Sequence, residues 1–197
     1  MSPPSARERR FADYLAGLVA AEDRAALAAL RRGLGKEPGE AAEVFPYVVP
    51  WLSSDAGRRD REDEEQAYFL VASLFAWHQG AWPAEGDRRR ATNLGASFRL
   101  AARSRDEGGE PGVERRFVAL LNCHRADLPV HLRHAVGLLK AKEIPVDWAE
   151  LLHDIRRWDS ASRSVQRAWA RAFWGHAGPS DDAAHATDDQ AATAAER

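Results

Sequence analysis

Residues 68–77 carry no charge and only one polar side chain other than the Tyr68 hydroxyl and the Trp77 indole, that of Ser73. They form the second half of a stretch, 60–78, that reads as the clearest helix in the chain. Asp60 can cap it, acids fill its first turns in keeping with the helix dipole, and Gly80 can end it. The apolar half is too short for the ~20 residues that a membrane-crossing helix needs. A helix apolar on nearly every side must be enclosed by other helices. That puts this one at the centre of a bundle, buried along Leu70, Leu74 and Trp77.

The flanking sequence supplies the neighbours. Ser5 and Glu8 have capping-box spacing, and Phe11, Tyr14, Leu15, Leu18 and Val19 recur behind them at helical intervals. A second helix is expected over 23–32, stopping near Gly33 and Gly35. Pro46 and Pro50 break 41–52 into short helical pieces. Trp82-Pro83 and Gly86 mark 80–90 as a connection between two lobes, residues 1–88 and 89–178. Beyond it, helices are expected at 92–103, 112–124, 128–140, 148–158 and 161–174, with Asp127 and the Asp147/Glu150 pair as cap signals. Strand alternation, internal repeats and sustained heptads are missing. The expected fold is all-α, a two-lobed helical bundle of about eight or nine helices. Residues 179–197 are acidic and poor in core material, and are expected to be a disordered tail.

Composition narrows the function classes. At 197 residues the chain can hold one ordinary domain or two small lobes. The arginines of residues 1–10 are not followed by an apolar run of signal-peptide type, so a cytoplasmic location is expected. Cys123 is the only cysteine, which excludes an internal disulfide and any cysteine-rich zinc site. Beside Leu120 and Leu121 it reads as a buried, inert thiol. The net charge of −2 does not suit a free-standing nucleic-acid binder, but the charge is unevenly spread. Residues 1–90 hold 13 basic against 15 acidic side chains, and residues 91–180 hold 14 against 10. That excess supports a local patch and not a strongly basic domain, so binding should be weak alone and helped by other subunits.

No complete catalytic set accompanies the patch. There is no GxxxxGK[ST] loop and no GxSxG elbow, and Gly108-Gly109 reads as a turn. His153-Asp154 is an HD dipeptide of the kind metal-dependent phosphohydrolases use. It would need further ligands, with His78, His124, His131 and His134 as the candidates, and an ordinary helix flank suits it as well. His131 and His134 lie three apart, which is not the spacing of a helical zinc pair, and read as a solvated face. No metal or cofactor is expected, and the chain reads as a binding or assembly subunit, not an enzyme.

The arginines carry more information. Arg115 projects opposite Phe117 and Arg116 flanks the same face, while Arg133 flanks Leu132. Arg163 and Arg167 lie four apart and face away from Val165, with Asp159 the only acid spaced to pair with Arg163. Arg171 and Trp174 lie near that outer side. Guanidinium groups on solvent-facing helices suit a phosphate backbone or an acidic protein surface, and an arginine beside an exposed aromatic can hold phosphate and stack a base. Plain solvated faces give the same pattern, and both readings stay open at this point. Trp51, Trp77, Trp148 and Trp169 fit core positions. Trp82 and Trp174 fit either an interface anchor or a contact within the fold.

The order of segments resembles a known family. Ala26-Leu27-Ala28-Ala29-Leu30-Arg31-Arg32 is followed by Phe45-Pro46-Tyr47-Val48-Val49-Pro50 and then by the apolar helix ending at His78. After the connection come Asn93-Leu94-Gly95-Ala96-Ser97-Phe98, Glu114-Arg115-Arg116-Phe117, Leu132-Arg133, Val146-Asp147-Trp148 and Arg156-Arg157-Trp158. This series is similar to the small subunit, the CasB type, of type I-E CRISPR Cascade surveillance complexes. The resemblance implies an all-α, non-catalytic protein that lies as two head-to-tail copies along an RNA-guided complex. Its partners would be the backbone and large subunits, a second copy of itself, the CRISPR guide RNA, and target and non-target DNA, with no membrane involved. It would help hold the guide–target hybrid and the displaced strand through backbone contacts, since guide pairing reads the sequence. Carried over by position, Arg31, Arg32, Arg115, Arg116, Arg125, Arg133 and Arg163 are the candidate contacts, and Arg167 joins them from its place on the last helix. Two alternatives remain: a purely structural adaptor whose arginines meet acidic protein, and, more remotely, an HD-type metal phosphohydrolase.

Overall fold

The computed structural model describes residues 2–54, 57–82, 92–103 and 109–175. Nine α-helices run through them: α1 Ala6–Ala20, α2 Arg24–Arg32, α3 Phe45–Val48, α4 Arg58–Trp77, α5 Leu94–Arg103, α6 Gly109–Asn122, α7 Leu128–Ala141, α8 Trp148–Arg156 and α9 Ser164–Trp174. No strand occurs among the described residues, where a single bridge pairs Ala81 with Val146. Most of the expected 80–90 connection, the boundary between 88 and 89, Gly108 and the 179–197 tail lie outside the described residues.

Local chemistry sets most helix starts. At α1 the capping box forms in both directions, with the Ser5 N–H donating to Glu8 Oε2 at 2.6 Å and the Glu8 N–H to Ser5 Oγ at 3.3 Å. Asp23 accepts from the Ala26 N–H at 2.9 Å and Asp147 from the Glu150 N–H at 2.9 Å, opening α2 and α8. Other starts or their caps differ from expectation, with α5 beginning at Leu94 and α6 at Gly109. Gly57 is the N-cap of α4, so Asp60 sits in the first turn, where its charge meets the dipole without capping. Asp127 precedes α7 but makes no cap bond, because a 3₁₀ turn over Arg125–Asp127 leads straight into the helix. α9 begins at Ser164, since Arg163 adopts the left-handed conformation (φ 50°, ψ 40°). The two prolines of 41–52 give, as expected, short pieces: 3₁₀ turns at Ala42–Val44 and Val49–Trp51 around α3.

α4 is the central helix. From Ala67 to Ala76 every side chain is buried except Leu70, and Leu74 is fully enclosed. Leu70 and Trp77 are only half-buried, and Lys140 Nζ of α7 lies 5.1 Å from the Trp77 ring centroid. Packing sorts the helices into two groups. α1, α2, α3 and α8 surround α4, while α6 and α9 flank α5, and α7 touches both groups. α8 belongs to the second half of the sequence yet packs against α1 and α4. At the α5–α9 crossing Gly95 is indispensable: a Cβ there would lie 2.1 Å from the Trp169 carbonyl oxygen.

Candidate nucleic-acid interface

The helices put their arginines to two different uses. One set braces the fold. Arg125, with its side chain 16% exposed, donates from Nη1 to the Ile155 carbonyl at 2.8 Å, and its Nε lies 3.3 Å from Asp63 Oδ1 as an ion-pair contact. Asp159 lies 4.0 Å from the same Nε and thus beside Arg125, not as a partner of Arg163. Arg156 bridges two buried carboxylates, Nη1 to Glu8 Oε1 at 2.9 Å and Nη2 to Glu64 Oε1 at 3.2 Å. His153 adds a contact to Glu8 Oε2 at 3.1 Å, and the Ser53 N–H donates to Glu64 Oε2 at 2.8 Å. Burial pushes the Glu8 carboxyl upward, but the bonds from Ser5 and His153 outweigh it and hold the group below its usual range. In sequence Arg156 stands out only as part of a family pattern. Its bridging role has no local signal, because Glu8 and Glu64 come from distant helices.

The second set stays outside. Arg31, Arg32, Arg115, Arg116, Arg133, Arg163 and Arg167 are all exposed. Arg31 and Arg32 end α2, where the dipole favours cations. Arg31 Nε donates to the Leu27 carbonyl at 3.1 Å, and Arg32 Nε lies 2.7 Å from Glu43 Oε1, an exposed pair of small energetic weight. Arg133 reaches from α7 to the turn after α2, with Nη1 2.8 Å from the point where a Cβ on Gly35 would sit. Gly35 has φ +79°, a left-handed backbone that favours glycine. The contact places a guanidinium of the second half beside the α2 end that carries Arg31 and Arg32. Arg163 turns back onto α6, donating from Nη2 to the Leu121 carbonyl at 2.5 Å, which secures its left-handed backbone. The side chains of Arg115, Arg116, Arg133 and Arg167 make no hydrogen bond or ion pair among the described residues.

The HD dipeptide divides between two structural roles. His153 faces Glu8, and Asp154, fully buried, accepts from the Trp169 indole N–H at 2.5 Å. Burial raises the Asp154 carboxyl to about 8, Glu150 and Asp147 add to the rise, and the Trp169 bond opposes it. No group of three His, Cys, Asp or Glu side chains that could hold a metal occurs among the described residues. His78 is occupied, with Nε2 2.7 Å from the Ile144 carbonyl. Cys123 is half-buried, and burial lifts its thiol to about 11, which suits an inert group. Trp148 and Trp169 are core residues, while Trp51 and Trp77 are half-buried. Trp82 serves the fold by donating to Ser97 Oγ at 3.4 Å, whereas Trp174 remains exposed. No described helix is long and apolar enough to cross a membrane.

The sequence and the fold agree with known proteins. The family profile of the CRISPR-associated protein Cse2 matches residues 26–174. A CRISPR-associated protein Cse2 of Thermus thermophilus is 36% identical over 174 residues, which cover 88% of this chain and 92% of that protein. The crystal structure of a Cse2-family protein from Thermus thermophilus superposes with a TM-score of 0.69 at 35% identity, over 89% of this chain and all of the other. CasB from M. ruber gives a TM-score of 0.67 at 30% identity, over 95% and 97% of the two chains. A chain of a CRISPR RNA-guided surveillance complex gives 0.69 at 25% identity, over 94% and 97%.

Proposed function

The chain belongs to the Cse2 family of CRISPR-associated proteins, and from that premise we propose that it is the non-catalytic small subunit of an RNA-guided Cascade complex. In this reading it sits beside the backbone and large subunits and a second copy of itself. It supports the guide RNA–target DNA hybrid and the displaced strand by contacting phosphates, while base pairing with the guide reads the sequence. One observation carries the nucleic-acid part. Arg125 and Arg156 are consumed inside the fold, whereas Arg115, Arg116, Arg133 and Arg167 keep their charge free of any partner among the described residues. Exposed and unpaired guanidinium groups are available to phosphate without first breaking an internal pair, and their planar fork loses less entropy per hydrogen bond than an ammonium on a flexible stem. The nearly balanced net charge means that the isolated chain binds weakly and that the complex supplies the rest.

Charge reversal at Arg116→Glu together with Arg133→Glu tests the proposal in the assembled complex. R-loop formation should weaken for all target sequences alike, and its salt dependence should become shallower by about one unit of slope for each phosphate no longer neutralised. A double variant that assembles and forms R-loops like the parent at every salt concentration rules these arginines out as the contact surface. Failure to assemble would favour the adaptor reading, with acidic protein as the arginines' partner.

A further inference from the structure

A cleft of about 350 Å³ lies between α5, α6 and the end of α9. Arg99 and Arg103 of α5 line one side, Phe173 and Trp174 of α9 another, and Glu114 of α6 completes it. Trp174 is 44% exposed, the most exposed aromatic side chain among the large hydrophobics of the described residues. Its indole is held in place: Nε1 donates to Glu114 Oε1 at 3.0 Å, Phe173 meets it nearly edge-on at 4.8 Å, and Phe117 supports it at 5.5 Å. An indole whose polar atom is satisfied and whose ring is fixed from behind presents a preformed stacking surface. The side chains of Arg99 and Arg103 make no hydrogen bond or ion pair among the described residues. The neighbouring carboxylate, Glu114, is already engaged with the indole.

We infer that this cleft receives one unpaired nucleotide, its base stacked on Trp174 and its phosphate held by Arg99 and Arg103. The inference rests on the nucleic-acid reading above and adds a base contact to it. Both halves of the ligand have a counterpart: two cations for the phosphate and a fixed aromatic plane for the base. Stacking tolerates every base, so the contact holds a single strand without selecting sequence. An acidic peptide would use the arginines but would leave the exposed indole plane without a matching partner.

Photo-crosslinking of the full chain tests the inference. The probe is a single-stranded DNA of about 12 nucleotides carrying 5-iododeoxyuridine, and the control is an abasic strand of equal length and charge, a span within the usual site size for such contacts. The adduct should map to Trp174, and the native chain should bind the base-bearing strand about tenfold more tightly than the abasic one, as expected from one stacked base. Trp174→Ala should abolish both the adduct and the preference, and Trp174→Phe should keep part of each. Arg99→Glu with Arg103→Glu should weaken binding of both strands and reduce the salt slope by about 0.7, the value for one phosphate of a single strand. Equal affinity for the two strands, or adducts only at other residues, overturns the inference, and equal affinity is what a peptide site would show. The Arg116/Arg133 R-loop experiment judges the backbone reading separately. A defect there without an adduct at Trp174 leaves that reading standing and removes only the cleft.

Discussion

Asp154 shows how much one side chain's surroundings matter. In sequence it is half of a dipeptide associated with metal hydrolysis. In the fold it is a fully buried carboxyl receiving an indole N–H, with its proton retained to about pH 8. The sign of its effect on stability follows from that rise. Below the ordinary carboxyl value of about 4, the folded and unfolded chains both hold the proton. As pH climbs towards 8 the unfolded chain releases it and the folded chain does not, so stability falls across that window. Glu150, raised by burial to about 6, acts in the same sense over a narrower window. Asp154→Asn keeps a carbonyl for Trp169 and removes the titration. Urea midpoints measured at pH 5 and pH 8 should therefore converge in the variant relative to the parent, and an unchanged difference between them would show that Asp154 ionises normally in the fold.

Between elements, the α5–α9 crossing is the contact with least tolerance. Gly95 lets the two backbones approach until a single methyl at its Cα would fall 2.1 Å from the Trp169 carbonyl. Because the obstacle is backbone and not a flexible side chain, the helices must separate to admit it. Gly95→Ala should destabilise the chain by at least about 1–3 kcal/mol, the usual cost of overpacking. Denaturant titration would measure this, and a stability equal to that of the parent would mean the crossing is looser than described. The same crossing carries Arg99, Arg103 and Trp174 on its outer side, so the displacement should also blunt the Trp174 photo-adduct if the cleft binds a nucleotide.

For the whole molecule the informative link is Arg156. It joins Glu8 of α1 and Glu64 of α4 to α8, so a buried polar network connects helices from both halves of the sequence. The apolar core is likewise continuous, from Phe11 through the α4 residues to Trp169. Calorimetry of the full chain should accordingly show one unfolding transition. Arg156→Ala removes the cation shared by the buried Glu8 and Glu64 carboxylates, leaving Glu64 with Arg7 Nη1 at 3.6 Å. Arg156 is itself 34% exposed, so the loss should be smaller than for a fully buried pair, about 1–3 kcal/mol. The midpoint should fall without the transition splitting in two. A second, separate transition would show that the halves fold independently and that the network is not shared.

The positions of the helices and the all-α class are written in local chemistry. Capping residues, 3.6-residue periodicity and the apolar run of α4 each act over a few neighbouring residues. That is why the capping box at Ser5, the short pieces around Pro46 and Pro50 and the centrality of α4 were legible along the chain. The ordered series of segments also sufficed to suggest the family. Which arginines are structural and which are free is settled by packing alone. Nothing in the local sequence separates Arg125, Arg156 and Arg163 from Arg116 and Arg133. Their roles differ because carbonyls and carboxylates from helices 30 to 148 residues away fall within hydrogen-bonding distance of some and not of others. The Trp174 cleft follows the same logic. Its indole, its two arginines and Glu114 come from three helices, so their juxtaposition exists only once those helices have packed.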